Sequence, residues 1–294
     1  APASVFRTIS KRRKAVPDPL RLRRAGIFFL NLLASAVAAA APARRIVSLA
    51  PNLTEIVFAL GAGPRLVGVS ARSDFPPAAR RLPVVGAVTP DLERIIALRP
   101  DLVLAAEDAN SLRTVRRLEE RGIPVLYIRA RDLTGVIRSI ERIGARLGEA
   151  DRAARLALSL TARMNAAERL SAGRRRLRAV LLVWPDPPQA AGKGTFGDDL
   201  LRRAGADNVV DRAGWPVVSP EYLLASSIDV VVYPDSPDTR EAFERAFTRG
   251  LLGRLGGGGR VQRIGVAADL LMRPGPRAFD ALDVLARKIA RIAR

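Results

Sequence analysis

The chain has 294 residues, with 49 Lys+Arg against 29 Asp+Glu, a formal charge of +20, and neither His nor Cys. Disulfide frameworks, Cys/His zinc sites, His-ligated haem, Ser-His-Asp triads and histidine general bases are therefore excluded. Apolar residues make up 48% and charged residues 27%, a balance that can bury a core and does not describe a disordered chain, and the length suits two domains.

Residues 1–43 carry eight basic residues and one acid, so setting them aside lowers the charge from +20 to +13. Within them, Arg21-Leu22-Arg23-Arg24 precedes an apolar run from Ala25 to Val37 and then Ala41-Pro42-Ala43. A basic stretch, a short apolar stretch and small residues at the end match a cleavable secretory signal peptide. The run falls short of the about 20 residues that span a bilayer, so an uncut anchor is the weaker alternative. The expectation is a periplasmic protein starting near residues 41–44, with residues 1–20 an upstream extension. The remaining cations are mostly Arg spread along helices, and the 14 aromatics form no interleaved basic face, so no nucleic-acid partner is expected.

From Arg44 short apolar runs alternate with amphipathic stretches, which predicts an α/β fold. Strands are expected at 46–49, 66–69, 102–105 and 125–128, with helices at 53–60, 92–98 and 112–121 between them. Asn52 and Glu55 have capping-box spacing, and Thr89-Pro90 and Ser219-Pro220 read as a cap followed by a first-turn proline. Residues 133–147 and 151–170 have helical spacing and no strand-like run, with Gly148 dividing them and Gly173 ending the second. Strands resume at 179–184, 208–210, 229–233 and 261–266, with a helix at 198–204. The expected organisation is an N-terminal α/β lobe (44–132), a helical connector (133–173) and a C-terminal α/β lobe (174–294).

The two lobes resemble each other. Residues 93–103 (ERIIALRPDLV) match 221–231 (EYLLASSIDVV) at an offset of 128, and Gly61-Ala62 ahead of Leu66-Val67 echoes Gly205-Ala206 ahead of Val209-Val210. Duplicated topology and a ligand cleft between the lobes follow as expectations. Residues 192–197 (GKGTFG) satisfy GxGxxG, but they follow the strand ending near Trp184 by several residues, and Asp211 is too close to serve as a ribose acid. A loop opening a helix beside the cleft is the better reading, which leaves a nucleotide-dependent oxidoreductase as the distant alternative. Asp198-Asp199 suit a helix start, and no carboxylate pair or calcium-loop spacing stands out. Neither an enzyme nor a cofactor is expected.

The motifs at 45–55 (RIVSLAPNLTE), 66–70 (LVGVS), 73–77 (SDFPP), 92–95 (LERI) and 100–103 (PDLV), with Trp215-Pro216, resemble the helical-backbone family of periplasmic substrate-binding proteins of ABC importers, and within it the vitamin B12 receptors. The resemblance covers residues 44–294 and implies two Rossmann-like lobes joined by a long rigid helix, a cleft between them, and a corrinoid delivered by a monomer to an ABC permease dimer. It implies ligand contacts at Pro51, Asn52, Arg72, Lys193, Trp215, Asp269 and Arg273, and permease docking through Glu93 and Glu221. Arg72 and Ala106 stand where the receptors commonly carry aromatics, and the tryptophan expected before the Leu92 helix is missing, near Gly86-Ala87-Val88. Fewer rings and an added Arg point to a ferric siderophore as the alternative ligand. Haem is disfavoured by the absence of His and the scarcity of Tyr.

Overall fold

The computed structural model describes residues 41–87, 89–255 and 261–294, so the expected leader lies almost wholly outside the described residues. Pro42–Arg294 forms one compact unit. No helix among the described residues is long and apolar enough to cross a membrane.

The first sheet is built from β1 (Ile46–Ser48), β2 (Leu66–Val69), β3 (Leu102–Ala106) and β4 (Val125–Ile128), all parallel in the order β2-β1-β3-β4. Its strands are near-continuous apolar runs because both faces are covered. Ile46, Leu102 and Leu104 enter one core, while Val47, Val103 and Ala105 enter another on the opposite face. The intervening helices are α1 (Pro51–Ala59), α2 (Leu92–Ala97) and α3 (Leu112–Glu119).

Two helix starts differ from expectation. The cap position of α1 is Ala50, with no side-chain cap bond, because Asn52 and Glu55 turn into the protein interior and meet other partners. At α2 the cap is Asp91 rather than Thr89. Its Oδ1 accepts from the backbone N–H groups of Glu93 and Arg94, both at 3.1 Å, while Pro90 stays in an extended bridge with Gly86.

The connector consists of α4 (Leu133–Leu147) and α5 (Ala150–Ser171), divided at Gly148, whose φ of 69° ends α4. At 1.5 Å per residue the 22-residue α5 is about 33 Å long. The second sheet comprises β5 (Leu177–Pro185), β6 (Pro188–Ala190), β7 (Ala206–Asn208), β8 (Val230–Asp235) and β9 (Gln262–Ala267). Its helices are α6 (Phe196–Arg203), α7 (Pro220–Ala225), α8 (Pro237–Thr248), α9 (Leu251–Leu255), α10 (Ala268–Leu271) and α11 (Ala278–Ile292).

The parallel order β7-β5-β8-β9 repeats β2-β1-β3-β4, which is the duplicated topology read from the sequence; β6 adds an antiparallel strand on the end of β5. β7 begins two residues before the expected strand. It ends at Asn208, whose side chain then accepts from the Val210 N–H and draws the chain off the ladder. One apolar core runs without interruption from Ile46 and Leu102, through Ile140 and Leu160 of the connector, to Leu177, Val230 and Leu282. The lobes are thus joined by a shared core of α4, α5 and α11, and not by a single helix alone.

Candidate functional site: a cleft between the two sheets

The segments leaving the C-terminal ends of the parallel strands converge on a cavity of about 790 Å³. In open α/β sheets this edge is where ligands bind. The first half contributes Glu107 and Asp108 after β3 and Ala130 and Arg131 after β4; the second contributes residues 193–196, residues 213–215, Leu271, Met272 and Pro274.

Two loops form the second-half wall as a unit. The Gly192 N–H donates to Gly214 O (2.8 Å) and the Lys193 N–H to Arg212 O (2.7 Å). A Cβ on Gly192 would lie 2.0 Å from Arg212 O, so the first glycine of the GxGxxG pattern is required by this close approach. Gln189 Nε2 donates to Trp215 O at 3.2 Å and fixes the backbone that carries the indole, which is 41% exposed. Lys193 and Trp215, both expected ligand contacts, therefore stand together on the cavity wall.

The helix after the glycines carries its own acids. Thr195 caps α6, Asp198 accepts from the Gly194 N–H and from Asn208 Nδ2, and Asp199 accepts from the Leu133 N–H and from Arg203. A pyrophosphate there would meet two carboxylates instead of a free helix terminus. The loop is the bland helix-opening turn that the sequence favoured.

On the first-half wall, Arg131 grips Glu107 with Nε and a terminal nitrogen at 3.0 and 2.8 Å, and Arg129 lies 3.4 Å away. The Arg131 hydrogen bonds hold the Glu107 carboxyl below its ordinary value. Asp108 reaches solvent as a residue, yet desolvation of its carboxyl at the crowded cleft, followed by the Glu107 charge, pushes its pKa upward. The lining holds two acids, Glu107 and Asp108, and two cations, Arg131 and Lys193, so it is formally neutral.

The remaining expected contacts lie elsewhere. Asn52 is buried and donates from Nδ2 to Pro274 O at 3.2 Å, across the two lobes. Arg273 bridges Asp269 of its own lobe (2.7 Å) and Asp74 of the other (2.7 Å). Beside it Arg277 forks onto Glu55 at 2.9 and 2.6 Å and stacks over Phe75, with its guanidinium 4.0 Å from the ring centre. Asn52, Asp269 and Arg273 are thus parts of an interlobe clamp, adjacent to the cavity through Met272 and Pro274. Pro51 is half-buried at the first position of α1, and Arg72 is exposed on the loop after β2. That loop is pinned to α1 by buried hydroxyls, with Thr54 and Ser70 each 2.9 Å from Ser73 Oγ.

Glu93 and Glu221 occupy the second position of α2 and α7, each behind a side-chain cap, Asp91 and Ser219, and both are exposed. The two carboxylates are structurally equivalent in the two halves.

Residues 46–248 match the family described as periplasmic binding protein. A vitamin B12-binding protein of Pectobacterium atrosepticum is 30% identical over 272 residues, covering 90% of this chain and 95% of that protein. The solved structure of the periplasmic vitamin B12 binding protein of Vibrio cholerae superposes with a TM-score of 0.75 at 27% identity, covering 86% of this chain and 98% of that one. A periplasmic heme-binding protein from Roseiflexus sp. RS-1 in its apo form gives a TM-score of 0.77 at 28% identity, covering 85% and 99% of the two chains. With its duplicated sheets, its cleft at their carboxyl edge and a match across most of its length, the chain belongs to the periplasmic binding protein family.

Proposed function

We propose that the protein is the periplasmic receptor of an ABC importer, exported by a cleavable signal peptide, which captures a cobalamin-like corrinoid as a monomer and hands it to a permease dimer without catalysing a reaction. The observation that carries the ligand choice is the neutral cleft. Haem, with its propionates, and the catecholate and carboxylate siderophores are anionic and call for surplus cations, whereas a corrin is ringed by uncharged amides that need matched donors and acceptors. Arg131 is already committed to Glu107, and Arg72, which favoured an anionic ligand at the level of sequence, is not among the cavity-lining residues. Trp215 and Met272, both exposed, offer apolar surface for the macrocycle, with the buried Phe196, Leu271 and Pro274 behind them in the wall.

Delivery rests on Glu93 and Glu221. One carboxylate per lobe, in equivalent positions, suits a twofold-symmetric partner that offers arginines, whose bidentate pairing fixes register as well as attraction.

Equilibrium titration with cobalamin, haemin, a panel of ferric siderophores and NAD tests the reading. Cobalamin should bind at micromolar concentration or tighter. Trp215→Ala should weaken that binding by about 1–3 kcal/mol through lost apolar contact. Tighter binding of a ferric siderophore or of haemin would overturn the ligand assignment, and binding of NAD alone would overturn the receptor reading.

A further inference from the structure

A second cavity, of about 430 Å³, lies outside the cleft on the second lobe. Trp184, Pro185, Asp186 and Pro188 of the β5–β6 hairpin form one wall, Pro220 a second, and the end of α8 the floor. Trp184 is 42% exposed. Its indole N–H is spent on Asp186 O at 2.9 Å, so what the ring offers outward is apolar surface. The floor is made of small residues, Ala242, Ala246 and Gly250, which is why a hollow exists there. Among the described residues, Arg245 at the rim pairs only with Glu241 of its own helix, and Arg249 is in no ion pair. Leu224 of α7 is exposed nearby in sequence, and Pro220 directly precedes Glu221.

We infer that this hollow is a seat for the permease: it receives an apolar or aromatic side chain from a periplasm-facing permease segment, with a carboxylate of that segment meeting Arg249. The inference rests on the docking reading of Glu221 and extends it to a site of different chemistry. Glu221 does not line the hollow but directly follows Pro220 of its wall, so a partner segment that pairs with Glu221 comes within reach of it. Exposed Trp and Arg around a small apolar depression are the residue types that anchor protein interfaces. The charges are complementary in alternation, with an acid at Glu221 for a partner cation and a cation at Arg249 for a partner acid. The glutamate-bearing helix of the first lobe borders a different hollow, lined by Pro83, Val84, Val85, Arg94, Ala97 and Leu98, which has no aromatic wall. The two ends of the receptor therefore present unlike contacts to the two permease subunits.

The test is docking of corrinoid-loaded protein to its permease in nanodiscs, with ligand titration and sedimentation of each variant alongside. Ala242→Trp fills the hollow, Arg249→Glu reverses the rim charge, and Glu221→Arg serves as the docking control. Each of the first two should weaken docking tenfold or more while ligand affinity and melting temperature stay near wild type. Loss of docking in Glu221→Arg with wild-type docking in both hollow variants would overturn the seat and leave the glutamate reading standing. Unchanged docking in all three would remove the docking reading itself. A wild-type dimer that Ala242→Trp converts to monomer would assign the hollow to a second copy of this chain and overturn the proposal.

Discussion

The side chain of Glu55 is 3% exposed, and its charge is met by the Arg277 fork and by Arg273 at 3.7 Å. Arg277→Leu would leave that carboxylate buried beside a single distant cation, and breaking a buried pair from one side costs about 3–5 kcal/mol. Denaturant unfolding of the variant should show a loss near the lower end of that range, because Arg273 remains; a loss below about 1 kcal/mol would mean that the pair carries little stability. Asp74 behaves differently, being 41% exposed as a side chain. Desolvation pushes its carboxyl upward, but the hydrogen bond and charge of Arg273 outweigh that, so its pKa lies below the ordinary 3.8. A depressed folded value means the pairing stabilises fully above about pH 4 and is lost as pH falls through the lowered value. Asp74→Asn should therefore cost at most about 1 kcal/mol at neutral pH, and the difference from wild type should shrink as pH falls through the lowered value. A difference that stays constant into strong acid would contradict this. None of these partnerships was legible in the chain, since Glu55 and Arg277 are separated by 222 positions and Asp74 and Arg273 by 199. Asp269 and Arg273 stand four positions apart and pair locally, whereas the reach of Arg273 to Asp74 depends on how the lobes pack.

The packing of α4 on α5 has no such long-range origin and depends on one small residue. A Cβ on Gly144 would lie 2.3 Å from the Cβ of Ala153, so the two helices touch backbone to side chain there. Gly144→Val should force them apart and destabilise by about 1–3 kcal/mol despite its gain in apolar surface, read as a fall in the denaturant midpoint. An unchanged or raised midpoint would show that the interface can give. Elements whose own sequence carries their signal were readable: the runs 66–69, 125–128 and 133–147 coincide with β2, β4 and α4. The expectation did not extend to α8 or α11. Both have local signals, the Ser236–Thr239 capping box and the apolar spacing of Phe279, Leu282, Leu285 and Ile289. Strand β6 has none: three residues, beginning with a proline, are a strand only because β5 runs on past the parallel sheet to pair with them. In the cleft, Lys193 and Trp215 came from motif and resemblance. Glu107, Asp108, Arg131 and Met272 were missed, because they lie on turns and loops whose convergence only the two sheets define.

Ligand capture by two lobes can proceed by hinge closure or by filling a cleft that is already formed, and three features of the molecule favour the second. The interior of α5 between Asp151 and Leu170 contains neither Gly nor Pro, so it offers no residue suited to a large φ/ψ change. The apolar core is continuous from Ile46 of the first lobe through Ile140 and Leu160 of the connector to Leu282 of the second, so separating the lobes would open it. The clamp of Asn52, Glu55, Asp74, Arg273 and Arg277 adds polar bonds at the cleft's edge. Of the three, the core should dominate, because burial scales with area while partly exposed ion pairs contribute little. Small-angle scattering should therefore change little when corrinoid is added to the wild-type protein. An Arg273→Ala, Arg277→Leu double variant separates the contributions. If the core sets the lobe spacing, this variant melts lower yet keeps the wild-type radius of gyration with and without ligand. If its radius instead expands when free and contracts on binding, the clamp is the hinge lock, and the shared core is too weak to hold the lobes at one separation.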